Sequence, residues 1–289
     1  MPSSGPVIAP PLLDTSPEGL RAALEADSIA TRVLGSDLPN EPHLDPDASW
    51  AVGDAMDPFV NTVASARFSL ETANRRIAEI VGAYDALPAP FIWWRAPFHT
   101  PADLGARLEA AHVFAVGEAP AMTLDLRALG PRPEVPPGFE LRAVTDEETL
   151  RAYLAILDAD PPPAGAPQLF PPEKVARIVA SVVPRLAHEP APLRVLGLLD
   201  GRPVSTSRLS VAGGAAGIYS VATLAEARGK GIGAAITWDC LATGRDLGYR
   251  IATLQSSDMG LRIYQRLGFV EQFRYAIHVH IPGGERFEG

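Results

Sequence analysis

The sequence predicts a mixed α/β protein of the α+β type, and three observations carry that prediction. Two helix-like stretches precede three strand-like stretches joined by tight-turn signals over 193–223. A glycine-rich segment at 228–234 then opens a long helix-like stretch, and a strand, a short helix and a strand follow to 281. Finally, the 289 residues favour two domains at about 100 to 200 residues per domain, each able to bury a core.

The elements can be taken in order. Residues 129–138 are too rich in proline and glycine for a helix or a central strand and read as a linker. Beyond it, 139–143 is a short strand and 146–157 a helix opened by Thr145, with Glu148 three residues on. A second helix is expected at 173–186. Strands follow at 193–199, 204–211 and 216–223, the first two joined by Asp200-Gly201, whose residue types accept the positive φ of a hairpin turn. Gly213-Gly214 repeats the signal. Over 232–247 the residues Ile232, Ile236, Cys240 and Leu247 share one helical face, and Gly248 stands at the C-terminal cap position. A strand at 251–254, a helix at 261–267 closed by Gly268 and a strand region at 269–281 complete this half. The first half is expected to hold helices at 18–33, 71–87 and 101–110, with strands at 59–63, 91–94 and 122–126. The division is thus 1–129, a linker at 130–138, and 139–289.

Composition bounds the function. With 47% hydrophobic and 20% charged residues the chain reads as globular, and no apolar run approaches the roughly 18 residues of a membrane span. The start, Met1-Pro2-Ser3-Ser4-Gly5, has neither the basic segment nor the apolar core of a targeting signal, so a cytoplasmic protein without a membrane partner is expected. The single cysteine, Cys240, falls within a helical apolar pattern and reads as packing. A net charge of -9 argues against nucleic acid as partner and favours a cationic small substrate. His278 and His280 alternate on a strand, but with no third ligand nearby no metal is expected.

The run Arg228-Gly229-Lys230-Gly231-Ile232-Gly233-Ala234-Ala235 lies between a strand and a helix, where glycines let several N–H groups and the positive end of a helix converge on an anion. A nucleotide triphosphate loop would need Ser or Thr after Lys230, where Gly231 stands. A dinucleotide loop would need a first βαβ unit and an acidic residue about 20 positions on, where Tyr249 and Arg250 stand. The remaining ligand class is coenzyme A. Here Arg228, Gly231 and Gly233, followed by Leu261-Arg262-Ile263-Tyr264-Gln265-Arg266-Leu267-Gly268-Phe269, resemble the GNAT acetyltransferase superfamily over about 139–281.

The resemblance implies a GNAT-like twisted mixed sheet flanked by helices and acetyl-CoA as co-substrate. It implies that Val221, Ala222 and Thr223 pair with the pantetheine arm and supply oxyanion donors. The backbone of Gly229, Gly231, Ile232, Gly233 and Ala234 would meet the pyrophosphate, with Arg228 and Lys230 adding charge. Tyr264 would be the general acid, and Ser257 would stand where the superfamily often has Asn. No carboxylate lies in Gly217-Ile218-Tyr219-Ser220, where such enzymes often keep a base, so the base is unassigned. The implied activity is acetyl transfer to the amine of a small molecule; the alternative is a noncatalytic CoA-binding sensor or scaffold.

The first half can be laid over the second, Ala106 to Val113 on Arg262 to Phe269 and Met122 to Leu126 on the later His278-Val279-His280, with Leu108 at the Tyr264 position and His112 at Gly268. The segment Ala64-Ser65-Ala66-Arg67-Phe68-Ser69-Leu70 has no glycine. Residues 1–129 are therefore expected to be a degenerate copy without loop or phenol, or else an unrelated lid. Trp93 and Trp94 read as core strand residues.

Overall fold

The computed structural model describes residues 8–53, 59–85, 87, 90–159 and 168–281; the Met1–Gly5 start lies outside them. The first half contains α1 (Pro17–Ile29), β1 (Asn40–Leu44), β2 (Ala48–Gly53), β3 (Thr62–Ala66), α2 (Ala73–Asp85), β4 (Phe91–Arg95), α3 (Leu104–Ala110) and β5 (Phe114–Asp125). The second contains β6 (Phe139–Ala143), α4 (Glu147–Leu157), α5 (Pro172–Leu186), β7 (Arg194–Leu199), β8 (Arg202–Ser210) and β9 (Ala216–Thr223). It ends with α6 (Ile232–Asp246), β10 (Ile251–Gln255), α7 (Asp258–Arg266) and β11 (Val270–His280).

Local chemistry sets the boundaries. Ser16 caps α1 through the Gly19 N–H at 3.1 Å, with Pro17 pre-set for the first turn. Asp146, rather than Thr145, caps α4, closing a reciprocal box with Thr149 in place of Glu148. Asp200 and Gly201 both take positive φ, 51° and 77°, as their hairpin turn requires. At the other candidate turn only Gly214 does so, at 76°, and the connection is a longer loop. The helix expected over 18–33 stops being α-helical at Ile29 and continues as a π-helical turn, Ala30–Leu34. The strand expected at 59–63 sits at Thr62–Ala66, and α7 begins three residues earlier than its apolar pattern, because Ser257 caps it through Gly260 N–H.

The eleven strands of the described residues form one sheet, in the order β1-β2-β3-β4-β11-β5-β10-β9-β8-β7-β6. The two halves exchange their last strands: β11 pairs antiparallel with β4, and β5 with β10, while β5 and β11 pair with each other. The break at 130–138 divides the chain order, but the sheet runs through it. Each half repeats one device. A strand pairs parallel with the next over two residues only, β3 with β4 at Thr62–Val63 and β9 with β10 at Gly217 and Ala216, and then parts from it. The overlay of the halves matches this topology, β4-α3-β5 on β10-α7-β11, and His112 and Gly268 share a left-handed backbone at φ 59° and 98°. A strand-bearing first half of this kind is not a helical lid.

A separate apolar cluster packs each half. One is centred on Trp93, Tyr84 and Ile77 in the first half, another on Met122, Leu209, Cys240 and Phe269 in the second. Cys240 is buried at 2% exposure, and burial pushes its thiol up to about 12, so it is packing. Trp93 is buried in the core, and Trp94 packs edge-on to Tyr275 of the exchanged strand. No helix among the described residues is long and apolar enough to cross a membrane.

Candidate active site

The parting of β9 from β10 creates the site. Beyond Gly217 the edge of β9 facing β10 has no partner strand among the described residues, while its other edge stays paired to β8, Thr206 with Ala222 and Ser205 with Thr223. A bulge interrupts that pairing between Thr206 and Arg208, and Ser220 there takes φ 52°, costly for a residue with a Cβ. The turned Ser220 carbonyl accepts the Thr206 hydroxyl at 2.8 Å, which holds the bulge.

A cleft of about 840 Å3 fills the opening, lined by Val221, Ala222 and Thr223 on one wall, Gly229, Gly231, Ile232, Gly233 and Ala234 at one end, and Tyr264 and Ser257 opposite. At the glycine end, α6 starts on Gly231 at φ 77° with no side-chain cap, so its first N–H groups have neither an intrahelical acceptor nor a capping oxygen among the described residues. A Cβ at Gly231 would also press on the Glu134 carbonyl of the linker, 2.7 Å away. The uncapped turn matches what a phosphate needs. Arg228 lines the cleft and is steered by its own Nε, which donates to the Thr223 carbonyl at 2.9 Å. Lys230 is exposed and does not line the cleft, so it is the one predicted site residue that the structure does not bring to it.

Tyr264 stands on α7, edge-on to Phe269 at 6.0 Å between ring centroids. Burial pushes its phenol up to about 12, so it stays protonated at neutral pH, and its hydroxyl makes no hydrogen bond among the described residues. In the first half Leu108 occupies the matching place, fully buried in the core, without a group to donate a proton. His278 and His280 each have a partner other than a metal. The first accepts from Arg95 Nε at 3.2 Å, the second meets the His112 carbonyl at 2.9 Å, and no group of three metal-ligating side chains occurs among the described residues.

One group was missed by the sequence reading. Asp27, from α1, lies fully buried under β9 and β10, accepting the Tyr219 hydroxyl at 2.7 Å, the Thr253 hydroxyl at 2.8 Å and the Thr31 hydroxyl at 3.3 Å. Burial raises its carboxyl to about 6 against those three donors and the nearby Arg32 charge. The close approach of α1 depends on Gly217, where a Cβ would collide with the carboxylate. The signal was present: Asp27 and Thr31 fall on the same helical face as Ala23 and Leu24, where apolar residues belong.

Residues 153–269 match the family model described as the acetyltransferase (GNAT) family. This stretch resembles a GNAT domain. Solved structures share the fold over most of the chain. A GCN5-related N-acetyltransferase from Kribbella flavida is 22% identical, with a TM-score of 0.67, over 91% of this chain and 96% of that one. A tandem GNAT protein from the clavulanic acid biosynthesis pathway is 13% identical, with a TM-score of 0.60, over 96% and 99%. A GCN5-related N-acetyltransferase from Sphaerobacter thermophilus is 19% identical, with a TM-score of 0.56, over 91% and 93%. No protein among the curated sequences compared matches. The GNAT fold, in a tandem arrangement, therefore accounts for the single sheet.

Proposed function

We propose that this GNAT protein is an acetyl-CoA-dependent N-acetyltransferase acting on the amine of a small molecule, with a catalytic centre at the β9 bulge of the second half. The observation that carries the reading is the continuous cleft from that bulge to the uncapped start of α6. Acetyl-CoA supplies the thioester. The free edge of β9 at Val221, Ala222 and Thr223 pairs with its extended arm as an added strand and places N–H donors where carbonyl charge develops. The N–H groups of Gly231, Ile232, Gly233 and Ala234, with Arg228 beside them, hold the pyrophosphate, and Ser257 offers a hydroxyl along the arm.

Two proton movements remain. The Tyr264 hydroxyl gives its proton to the departing sulfur as the C–S bond breaks. On the other side the attacking amine loses a proton as its C–N bond forms: Tyr219 Oη takes it and passes its own hydrogen to Asp27. The strand itself lacks a carboxylate, which motivated the alternative of a noncatalytic CoA-binding sensor. Asp27 answers that motive, because the first half supplies the carboxylate under the second half's strand. A degenerate copy without glycine turn or phenol then has a task, to carry the base. Screening amines, aminoglycosides and amino acids for acetyl-CoA-dependent CoA release tests the reading; release that requires both Asp27 and Tyr264 is expected, and tight CoA binding with no release across the screen favours the sensor.

A further inference from the structure

We infer that a second cavity, at the meeting of the two halves, is the acceptor site and selects amines that carry a carboxylate; this deepens the acetyltransferase reading and rests on it. The cavity measures about 330 Å3, at the small end of the range for ligand sites, and suits an amino-acid-sized molecule better than a peptide. Its wall includes Tyr219 and Ser220, and the CoA cleft begins at the next residue, Val221. An amine held there meets the β9 bulge from the side of the Tyr219–Asp27 pair.

The far wall is cationic in a chain whose net charge is -9. Arg32, on the π-helical turn, lines the cavity with its guanidinium stacked 3.6 Å over the Trp94 ring and Nη2 donating to Gln255 at 2.8 Å. Its Nε is buried without a hydrogen-bond partner, and it forms no ion pair among the described residues. A guanidinium held flat, with a donor unused and the Asp27 carboxylate near it but not in ion-pair contact, is incompletely matched until a ligand completes it. Arg208, on the same lining, reaches Asp37 only at 3.5 Å, and that carboxylate is already held by Arg194 and approached by Arg185 at 4.0 Å. Asp37 thus faces three guanidiniums, of which Arg194 has a second carboxylate, Glu189 at 2.8 Å, while Arg208 relies on Asp37 alone among the described residues. A π-turn at this point is a further mark of a site, since such turns recur where ligands bind. The global charge favoured a cationic substrate; the local charge asks for a zwitterionic one, amine towards Tyr219 and carboxylate towards Arg32 and Arg208.

The test is calorimetry on the full chain saturated with CoA, titrated with a panel of N-acetyl-amino acids and with the matching N-acetyl-amino acid amides, which keep the size and lose the charge. At least one acid is expected to bind saturably and its amide about 10- to 100-fold more weakly, with a similar loss for the acid in Arg32→Gln or Arg208→Gln. No acid binding, equal binding of acid and amide, or unchanged acid binding in both folded variants overturns the inference. Succinyl-CoA is titrated alongside acetyl-CoA: succinyl-CoA binding tenfold tighter in wild type only would place the carboxylate on the acyl group and likewise overturn the acceptor assignment. Failure of CoA itself to bind would instead sink the acetyltransferase reading, so the two failures are separable.

Discussion

Asp27 and Tyr264 divide the proposed chemistry between the two halves, and each carries a prediction. The Asp27 carboxyl titrates near 6 in the fold against an ordinary 3.8, so the folded protein binds an extra proton between those values. Its contribution to stability is therefore fully present below pH 3.8 and lost as pH rises through about 6, leaving a buried charge at neutrality. Asp27→Asn should consequently raise stability at pH 7, by roughly 1 to 3 kcal/mol from a shift of this size, and lose that advantage at pH 4. Denaturant melts at the two pH values measure this. The same variant should lose about 10² to 10⁴ in kcat, and the acid limb near pH 6 of the wild-type profile should vanish with it. A wild-type rate that is flat from pH 5 to 8 would remove Asp27 as base. For Tyr264→Phe the ring packing against Phe269 survives, so CoA affinity should hold while turnover falls by about 10² to 10⁴; equal turnover with chemistry limiting would show the acid to be elsewhere. Tyr264 was legible because it sits in a motif of the second half. Asp27 was legible only as a polar residue on an apolar helical face; its role was not, because its partners Tyr219 and Thr253 lie some two hundred positions away in sequence.

Among elements, β9 and α1 are the pair whose fit decides the site. Gly217 allows α1 to lie against β9 so closely that the Asp27 carboxylate reaches under the strand. Gly217→Val should therefore cost about 1 to 3 kcal/mol through overpacking and displace the base, lowering kcat in whatever protein still folds. A variant with wild-type melting temperature and rate would mean that α1 yields without consequence. The hairpin at Asp200-Gly201, the helix after the glycine loop and the short helix ending at Gly268 were all readable, because turn chemistry and apolar periodicity agree there. The strands β1 and β2 were not anticipated. They form a hairpin at the edge of the sheet, β1 carries Pro42 and exposed Glu41, and neither shows a sustained apolar alternation. The strand β5 proved longer than its apolar core at 122–126, because the exposed residues 115–118 are held by pairing to β11, with a bulge at Val116, rather than by apolar burial.

At the scale of the molecule, the exchange of β5 and β11 makes each half depend on the other. No pattern in the sequence names the partner of a strand, so the exchange could not be read from 139–289 or 1–129 alone, although the repeated order of elements could. Produced separately, residues 1–134 and 135–289 each expose strand edges that the intact sheet covers, and each should be aggregated or unfolded alone but recover a folded, equimolar complex when coexpressed. Two monomeric folded fragments would contradict the exchange. The central claim is that the second half alone holds acetyl-CoA, at the bulge and the uncapped start of α6. Isothermal titration of the full chain with acetyl-CoA tests it most directly, with Gly233→Val as control. Gly233 has ordinary φ and a Cβ would meet only Thr223 Oγ1 at 3.4 Å, so the variant should fold while its branched side chain blocks the phosphate. One acetyl-CoA bound per chain in the wild type and none in folded Gly233→Val is the expected result; two per chain, none, or unchanged affinity in the variant would contradict the account.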